Sequence, residues 1–187
     1  VVGTAARTAQ TVDASLAAVS VVDREEIEAL QPLTVSDILR TVPGLTVSNT
    51  GGLGQPSSVF LRGSESDHVL VLIDGVKVGS TTLGSTSFQY LDPALIERIE
   101  IVRGPRSSLY GPDAIGGVIQ IFTRDPAKAP RASAFATGGT DDYSKFGARL
   151  SAGENATKFS IGANYEKSKG YDVCKGSNTG GCFTFED

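Results

Sequence analysis

VRGPRSSLYGPDAIGGVIQIFT, from Val102 to Thr123, joins two strand-like runs through a basic turn punctuated by glycine. The first run is the IEIV that ends at Val102, and the second is Val118 to Phe122. Gly104-Pro105 and Gly111-Pro112 mark sharp changes of direction, because glycine accepts positive φ while proline fixes its own φ and pushes its predecessor towards extended geometry. Gly116-Gly117 removes two side chains immediately before a strand, as close approach of another surface requires. The expectation is a strand, a tightly constrained turn and a second strand, with the rest of the chain packed around them.

Upstream, Val69 to Ile73 is a continuous apolar run, the pattern of a central strand buried on both faces. Asp74-Gly75 then turns the chain into Val76 to Val78 as a tight hairpin. Val19 to Val22 reads as another strand. Asp23 caps a helix, with Glu26 three residues on and Val22 and Ile27 placed as a hydrophobic staple, and Pro32 ends it. Leu33, Thr34, Asp37 and Ile38 repeat the pattern, and Pro43-Gly44 stops the second helix. Leu45 to Val47 and Val59 to Leu61 read as strands, and Asp92-Pro93 caps a short helical turn through Ile96 that leads into Ile99 to Val102. Val1 to Ser15, small and polar without steady periodicity, reads as a mobile N-terminal arm.

Two long polar connections interrupt these elements, SNTGGLGQPSS from Ser48 to Ser58 and GSTTLGSTSFQ from Gly79 to Gln89. The first contains three glycines but has no G-K-[ST] ending and no following helix pattern, which argues against a phosphate-binding loop. Asn49 and Gln55 offer amide donors and acceptors to a large polar ligand. An ordinary long connection is equally compatible with the sequence.

After Arg124 the pattern changes. A proline-containing linker, Asp125 to Arg131, gives way to alternation with period two. Phe146, Ala148, Leu150 and Ala152 fall on one face and Lys145, Gly147, Arg149 and Ser151 on the other; Phe159, Ile161, Ala163 and Tyr165 likewise oppose Ser160, Gly162, Asn164 and Glu166. Such segments suit a half-exposed antiparallel sheet or a transmembrane β-barrel. The short turn at Gly153-Glu154-Asn155 and the longer loop from Gly170 favour the barrel, whose turns are short on one side and long on the other. Two or three strands cannot close a barrel and open edges are not tolerated in lipid, so the chain is expected to be a piece of a longer protein.

Composition narrows the classes. At 187 residues and 40% hydrophobic content the chain holds one core of ordinary size, alone or with a piece of another domain. A net charge of −4 with no basic run interleaved with aromatics excludes nucleic-acid binding. The first residues lack an initiator Met and an apolar segment, so a secretory leader is expected to have been removed. No apolar run approaches the roughly 18 residues of a membrane-spanning helix. Cys174 and Cys182 lie in a Gly- and Asn-rich loop, where one small disulfide is the expected state and two free thiols the alternative. CxxC spacing is absent and the single histidine, His68, is distant, so no zinc site is expected.

With LRG at Leu61 to Gly63 and IDG at Ile73 to Gly75, the opening stretch resembles the plug domain of TonB-dependent outer-membrane receptors. The runs HVLVLIDGV, RGPRS, YGPDAIGGV and GYDV, the last at Gly170 to Val173, are similar to the members that carry cobalamin. The resemblance implies an α+β plug, a small mixed sheet with short helices, followed by the first antiparallel strands of a transmembrane β-barrel of about 22 strands. It divides the chain into an arm over 1–15, a plug over 16–125, and the start of the barrel with an extracellular loop over 126–187. VVGTA, comprising Val1, Val2, Gly3, Thr4 and Ala5, resembles the TonB box, which pairs as an added strand with TonB, itself powered by ExbB and ExbD. Carried over by position, the substrate contacts are Thr50, Gly52, Gln55, Pro56 and Ser57 in the first loop and Leu83, Gly84 and Ser85 in the second. Gly3, Pro56 and Gly84 depart from the family pattern. Arg62, Arg103 and Arg106 are implied contacts between plug and inner barrel wall, a role that suits the planar guanidinium fork. Asp172 and Asp187 lie where calcium ligands of the extracellular loops begin.

The implied function is ligand-gated transport across the outer membrane. Cobalamin is the expected substrate, with a ferric siderophore or haem as the alternative. A soluble periplasmic interaction domain with a β-rich tail is the competing class, and lipid contact by the alternating face separates the two. An enzyme is not expected, since a Ser-His-Asp site would need His68, which has no G-x-S-x-G elbow near it.

Overall fold

The computed structural model describes Thr4 and residues 18–51, 54–79, 86–125, 130–140, 142–154 and 157–170. The chain divides into two compact units, Val1–Asp125 and Pro126–Asp187.

The first unit is built on a mixed five-stranded sheet. Its strands are β1 (Ala18–Val22), β4 (Val69–Ile73), β5 (Val76–Val78), β6 (Ile96–Arg103) and β7 (Gly117–Thr123), in the order β1-β6-β7-β4-β5. Only β4 and β7 run parallel; the other neighbours are antiparallel. Strands β2 (Leu45–Asn49) and β3 (Ser57–Leu61) form a separate antiparallel pair. The apolar run of β4 is buried on both faces as its sequence predicts. Val69 and Val71 enter the main core with Ile99, Ile101, Ile119 and Ile121, while Leu70 and Leu72 join Val118 and Ala114 on the opposite face.

Two short helices cover the main core, α1 (Arg24–Leu30) and α2 (Val35–Arg40). Asp23 accepts the Glu26 amide at 3.0 Å to start α1, and Thr34 with Asp37 forms a complete capping box on α2. Each cap satisfies amides that a helix start leaves without intrahelical partners. Arg24 ties α1 to the start of β6 by donating to the Pro93 and Ile96 carbonyls at 3.0 and 2.9 Å. Its hydrogen bond to Glu28, and then its charge, hold that exposed carboxyl below its ordinary pKa. Thr34→Ala is expected to destabilise the unit by about 1 kcal/mol, read as a lower urea midpoint with unchanged m-value. An unchanged midpoint would show that α2 is held by its buried face alone.

The organising turn closes as an extension of the β6–β7 ladder. Gly104 donates to the Gly116 carbonyl at 3.0 Å, and Arg106 donates to that of Ala114 at 2.7 Å. Gly104 and Gly111 both have positive φ. A Cβ on Gly117 would stand 2.3 Å from both the Val102 carbonyl oxygen and Leu61 Cδ2, so the close approach expected of the glycine pair is present. His68 has a backbone role here, its carbonyl accepting the Gly116 amide at 2.9 Å. Two features differ from the sequence reading. A one-turn helix, α3 (Ser107–Tyr110), occupies the middle of the turn, and β6 begins at Ile96 with a register shift between Ile96 and Arg98. Four residues are too few to show helical periodicity, and the bulge breaks the alternation that would mark the strand.

The second unit contains a three-stranded antiparallel sheet, with β8 (Arg131–Gly138), β9 (Ser144–Glu154) and β10 (Thr157–Lys167) in the order β10-β9-β8. The register aligns Ala132, Leu150 and Ile161 in one row and Ala136, Phe146 and Tyr165 in another. Away from the strand ends, over Ala132–Ala136, Phe146–Ala152 and Phe159–Tyr165, one face therefore carries only Ala, Phe, Leu, Ile and Tyr. Phe146 and Tyr165 stack there at 5.1 Å between ring centroids. The opposite face is polar, with Lys145 3.7 Å from Glu166 and Phe135 lying over Gly147, whose Cβ would stand 2.7 Å from the ring.

Candidate functional site

Thr4 lies on the five-stranded sheet and is fully buried, although the sequence places it in a mobile arm. Its backbone N–H and its hydroxyl both donate to Glu100 Oε2, at 3.1 and 2.6 Å. Its hydroxyl oxygen stands 3.0 Å from the Gln120 amide, and its carbonyl accepts the Tyr110 hydroxyl at 2.8 Å. Every polar group of Thr4 is thus engaged by β6, β7 or α3. Glu100 is itself fully buried, opposite Gln120 in the ladder, and also accepts Arg98 Nε at 3.0 Å. Arg98 in turn covers the Phe122 ring, 3.7 Å from its centroid. The sequence reading missed Glu100, Gln120 and Tyr110. The available signal was a carboxylate inside the otherwise apolar run that enters the organising turn, where burial demands partners.

The first polar loop is the connection between β2 and β3. Thr50 closes its base, donating from its amide and hydroxyl to the Pro56 carbonyl at 3.3 and 3.2 Å. Gly51 donates to Asn49 Oδ1 at 2.9 Å, and the Gln55 side chain lies over Gly51, where a Cβ would meet it at 2.8 Å. Thr50, Gln55 and Pro56 are exposed at this tip, while Ser57 is buried where β3 begins. At the second loop, Thr86 donates to the Val78 carbonyl at 3.1 Å. A cavity of about 470 Å³ opens beside it, lined by Asp67, His68, Lys77, Thr86, Asp113 and Ile115.

Arg62 and Arg103 flank the Pro43-Gly44 turn, each stem 3.9 Å from the position of a Gly44 Cβ. Arg62 is exposed with φ of 52°, and its amide donates to the Gly44 carbonyl at 3.0 Å. Arg103 donates to the Pro43 carbonyl at 2.6 Å and to Ser20, which ties β1 to the end of α2. Arg106 is half-buried, and its Nε has no hydrogen-bond partner among the described residues. Val1, Val2, Gly3, Ala5, Gly52, Leu83, Gly84, Ser85, Asp172, Cys174, Cys182 and Asp187 lie outside the described residues. Among the described residues, no group of three or more His, Cys, Asp or Glu could hold a metal ion, and no helix is long and apolar enough to cross a membrane.

The family description "TonB-dependent Receptor Plug Domain" matches residues 11–118. The chain is 47% identical over 174 residues to the vitamin B12 transporter BtuB of Vibrio vulnificus (strain YJ016), covering 92% of this chain and 28% of that relative. Among solved structures, the ferric yersiniabactin uptake receptor FyuA from Yersinia pestis matches with a TM-score of 0.68 at 26% identity, over 83% of this chain and 25% of that one. The pyoverdine outer membrane receptor FpvA from Pseudomonas aeruginosa PAO1 matches with a TM-score of 0.76 at 20% identity, over 89% and 24%, a likeness of fold alone. The chain spans about a quarter of the length of each of these proteins. It belongs to the TonB-dependent receptors and carries their plug domain, followed by antiparallel strands.

Proposed function

We propose that the full protein is a TonB-dependent transporter of the bacterial outer membrane whose substrate is cobalamin. The observation that carries the substrate is the 47% identity to a vitamin B12 transporter over 92% of this chain. In this reading the plug sits inside the barrel with its N-terminal arm towards the periplasm, and no bond of the substrate is made or broken. Substrate is contacted by Thr50, Gln55 and Pro56, which are exposed, and by Gly52, Ser57, Leu83, Gly84 and Ser85. Val1 to Ala5 is then presented to TonB, which works with ExbB and ExbD and supplies force to open a path. Arg62 and Arg103 place two cations on one turn, an arrangement that favours a carboxylate of the barrel wall as their shared partner. Arg106 takes the same role, Cys174 and Cys182 form a disulfide, and Asp172 and Asp187 contribute to a calcium site in the extracellular loops.

A ferric siderophore is the second reading, favoured by the 26% identity to the ferric yersiniabactin uptake receptor. Equilibrium binding to the detergent-solubilised full-length receptor, with and without calcium, separates the two. Saturable binding of cyanocobalamin is expected, with no displacement by a ferric siderophore. Gln55→Ala is expected to weaken that binding about tenfold through loss of a polar contact. Siderophore binding without cobalamin binding would move the assignment to iron uptake and leave the plug as it stands.

A further inference from the structure

We propose that Lys167, Ser144 and Tyr165 form a binding site for a phosphate of an outer-leaflet lipid, at one end of the apolar face of the second unit. The register sorts the cations of this sheet. Arg131, Lys145, Arg149 and Lys158 all fall on the polar face, whereas Lys167 falls on the apolar one, two positions beyond Tyr165. A cation on that face is costly at the middle of a lipid layer, but β10 ends at Lys167 and its 11 residues already match a membrane-spanning strand. Lys167 therefore stands at the boundary, where its stem lies along hydrocarbon and its charge reaches the headgroups.

The surroundings of Lys167 suit a bound anion. Lys167 is exposed and joins no ion pair among the described residues, while nearby Lys169 is neutralised by Asp142 at 2.5 Å. Its row of the sheet is nearly bare. Lys167 is in register with Ser144 and Ser144 with Gly138, where an added Cβ would meet nothing within 4 Å. The next row holds the Phe146–Tyr165 stack, so a headgroup can enter the bare row while its acyl chains lie on the rings. The ammonium of Lys167 and the hydroxyls of Ser144 and Tyr165 are donors that the oxygens of a phosphate accept. At its other end β10 starts with uncharged Thr157, so this charge marks one leaflet only. The site rests on the outer-membrane part of the transport reading: with the loop from Gly170 outside, Lys167 meets the outer leaflet, whose glycolipid is phosphorylated.

Binding of bisphosphorylated lipid A to the full-length receptor in neutral detergent, followed by native mass spectrometry, tests the site. Lys167→Gln is expected to weaken binding about fivefold, whereas Lys167→Arg and Lys169→Gln each change it by less than about twofold. Removing the phosphates of the lipid should weaken wild-type binding by at least about fivefold and cost the Lys167→Gln variant much less. Equal affinity of wild type and Lys167→Gln, or equal affinity for the two lipids, overturns the site. Displacement of the lipid by inorganic phosphate at an equal concentration makes the anion alone the ligand and overturns the lipid as occupant. Cyanocobalamin binding is read on the same samples. If it is retained without any preference for the phosphorylated lipid, the site falls and the transport reading stands. If it is absent while the lipid preference depends on Lys167, the cobalamin assignment falls and the lipid site stands.

Discussion

Alanine at Gly117 is expected to lower the stability of the first unit by about 3 kcal/mol, at the upper end of what overpacking costs. The added Cβ would stand 2.3 Å from the Val102 carbonyl oxygen, a backbone atom held in the adjacent strand, and as close to Leu61 Cδ2 in the core. Neither has room to move without breaking the β6–β7 ladder or displacing β3. Gly116→Ala provides the comparison. Its Cβ would collide with Ser64 Oγ at 2.1 Å, which can rotate at the expense of its bond to the Leu61 carbonyl, and with Ser64 Cβ at 2.8 Å, which moves only if the loop around Ser64 shifts. The Gly116 variant should therefore lose about 2 kcal/mol, less than the Gly117 variant because no strand of the sheet has to move. Urea unfolding followed by far-ultraviolet circular dichroism reads both, and equal midpoints for the two variants would refute the close approach at Gly117.

Leu150→Arg is expected to cost about 2–4 kcal/mol in folding of the full receptor into lipid vesicles, while Ser151→Arg costs almost nothing. The two positions are neighbours on β9 but face opposite sides of the sheet. Leu150 lies between Ala132 and Ile161 on the uniformly apolar face, and Ser151 lies between Arg131 and Ser160 on the polar one. The 11 residues of β9 and of β10 match the 9–11 of a tilted membrane-spanning strand. Equal tolerance of arginine on both faces would remove lipid from the picture and favour the soluble interaction domain.

Legibility in the sequence follows the range of the interactions. The caps at Asp23 and Thr34 are set by residues three positions away, so they are readable directly and the structure has both. Asp74-Gly75 is equally local: positive φ at both residues makes the two-residue hairpin, and Asp74 then fastens β7 through Thr123. The glycine pair is readable as a need for space, although the identity of the crowding atoms is not. Glu100 marks the limit. Its burial depends on Thr4, 96 positions away, and no local pattern encodes that meeting. Arg103 carries the same lesson, since its internal bonds to Pro43 and Ser20 depend on the tertiary course of α2 and β1.

The place of β1 at the edge of the sheet also sets a timetable for folding. Its partner strand ends at Arg103, 85 positions after Ala18, so the first strand waits for most of the unit before it can pair. Closing so long a loop is entropically costly and raises the contact order, which slows folding. During that interval the unpaired strand is open to pairing with other chains. The unit is thus most open to such pairing before β6 is in place, and shedding β1 is a step that leaves β6, β7 and β4 paired.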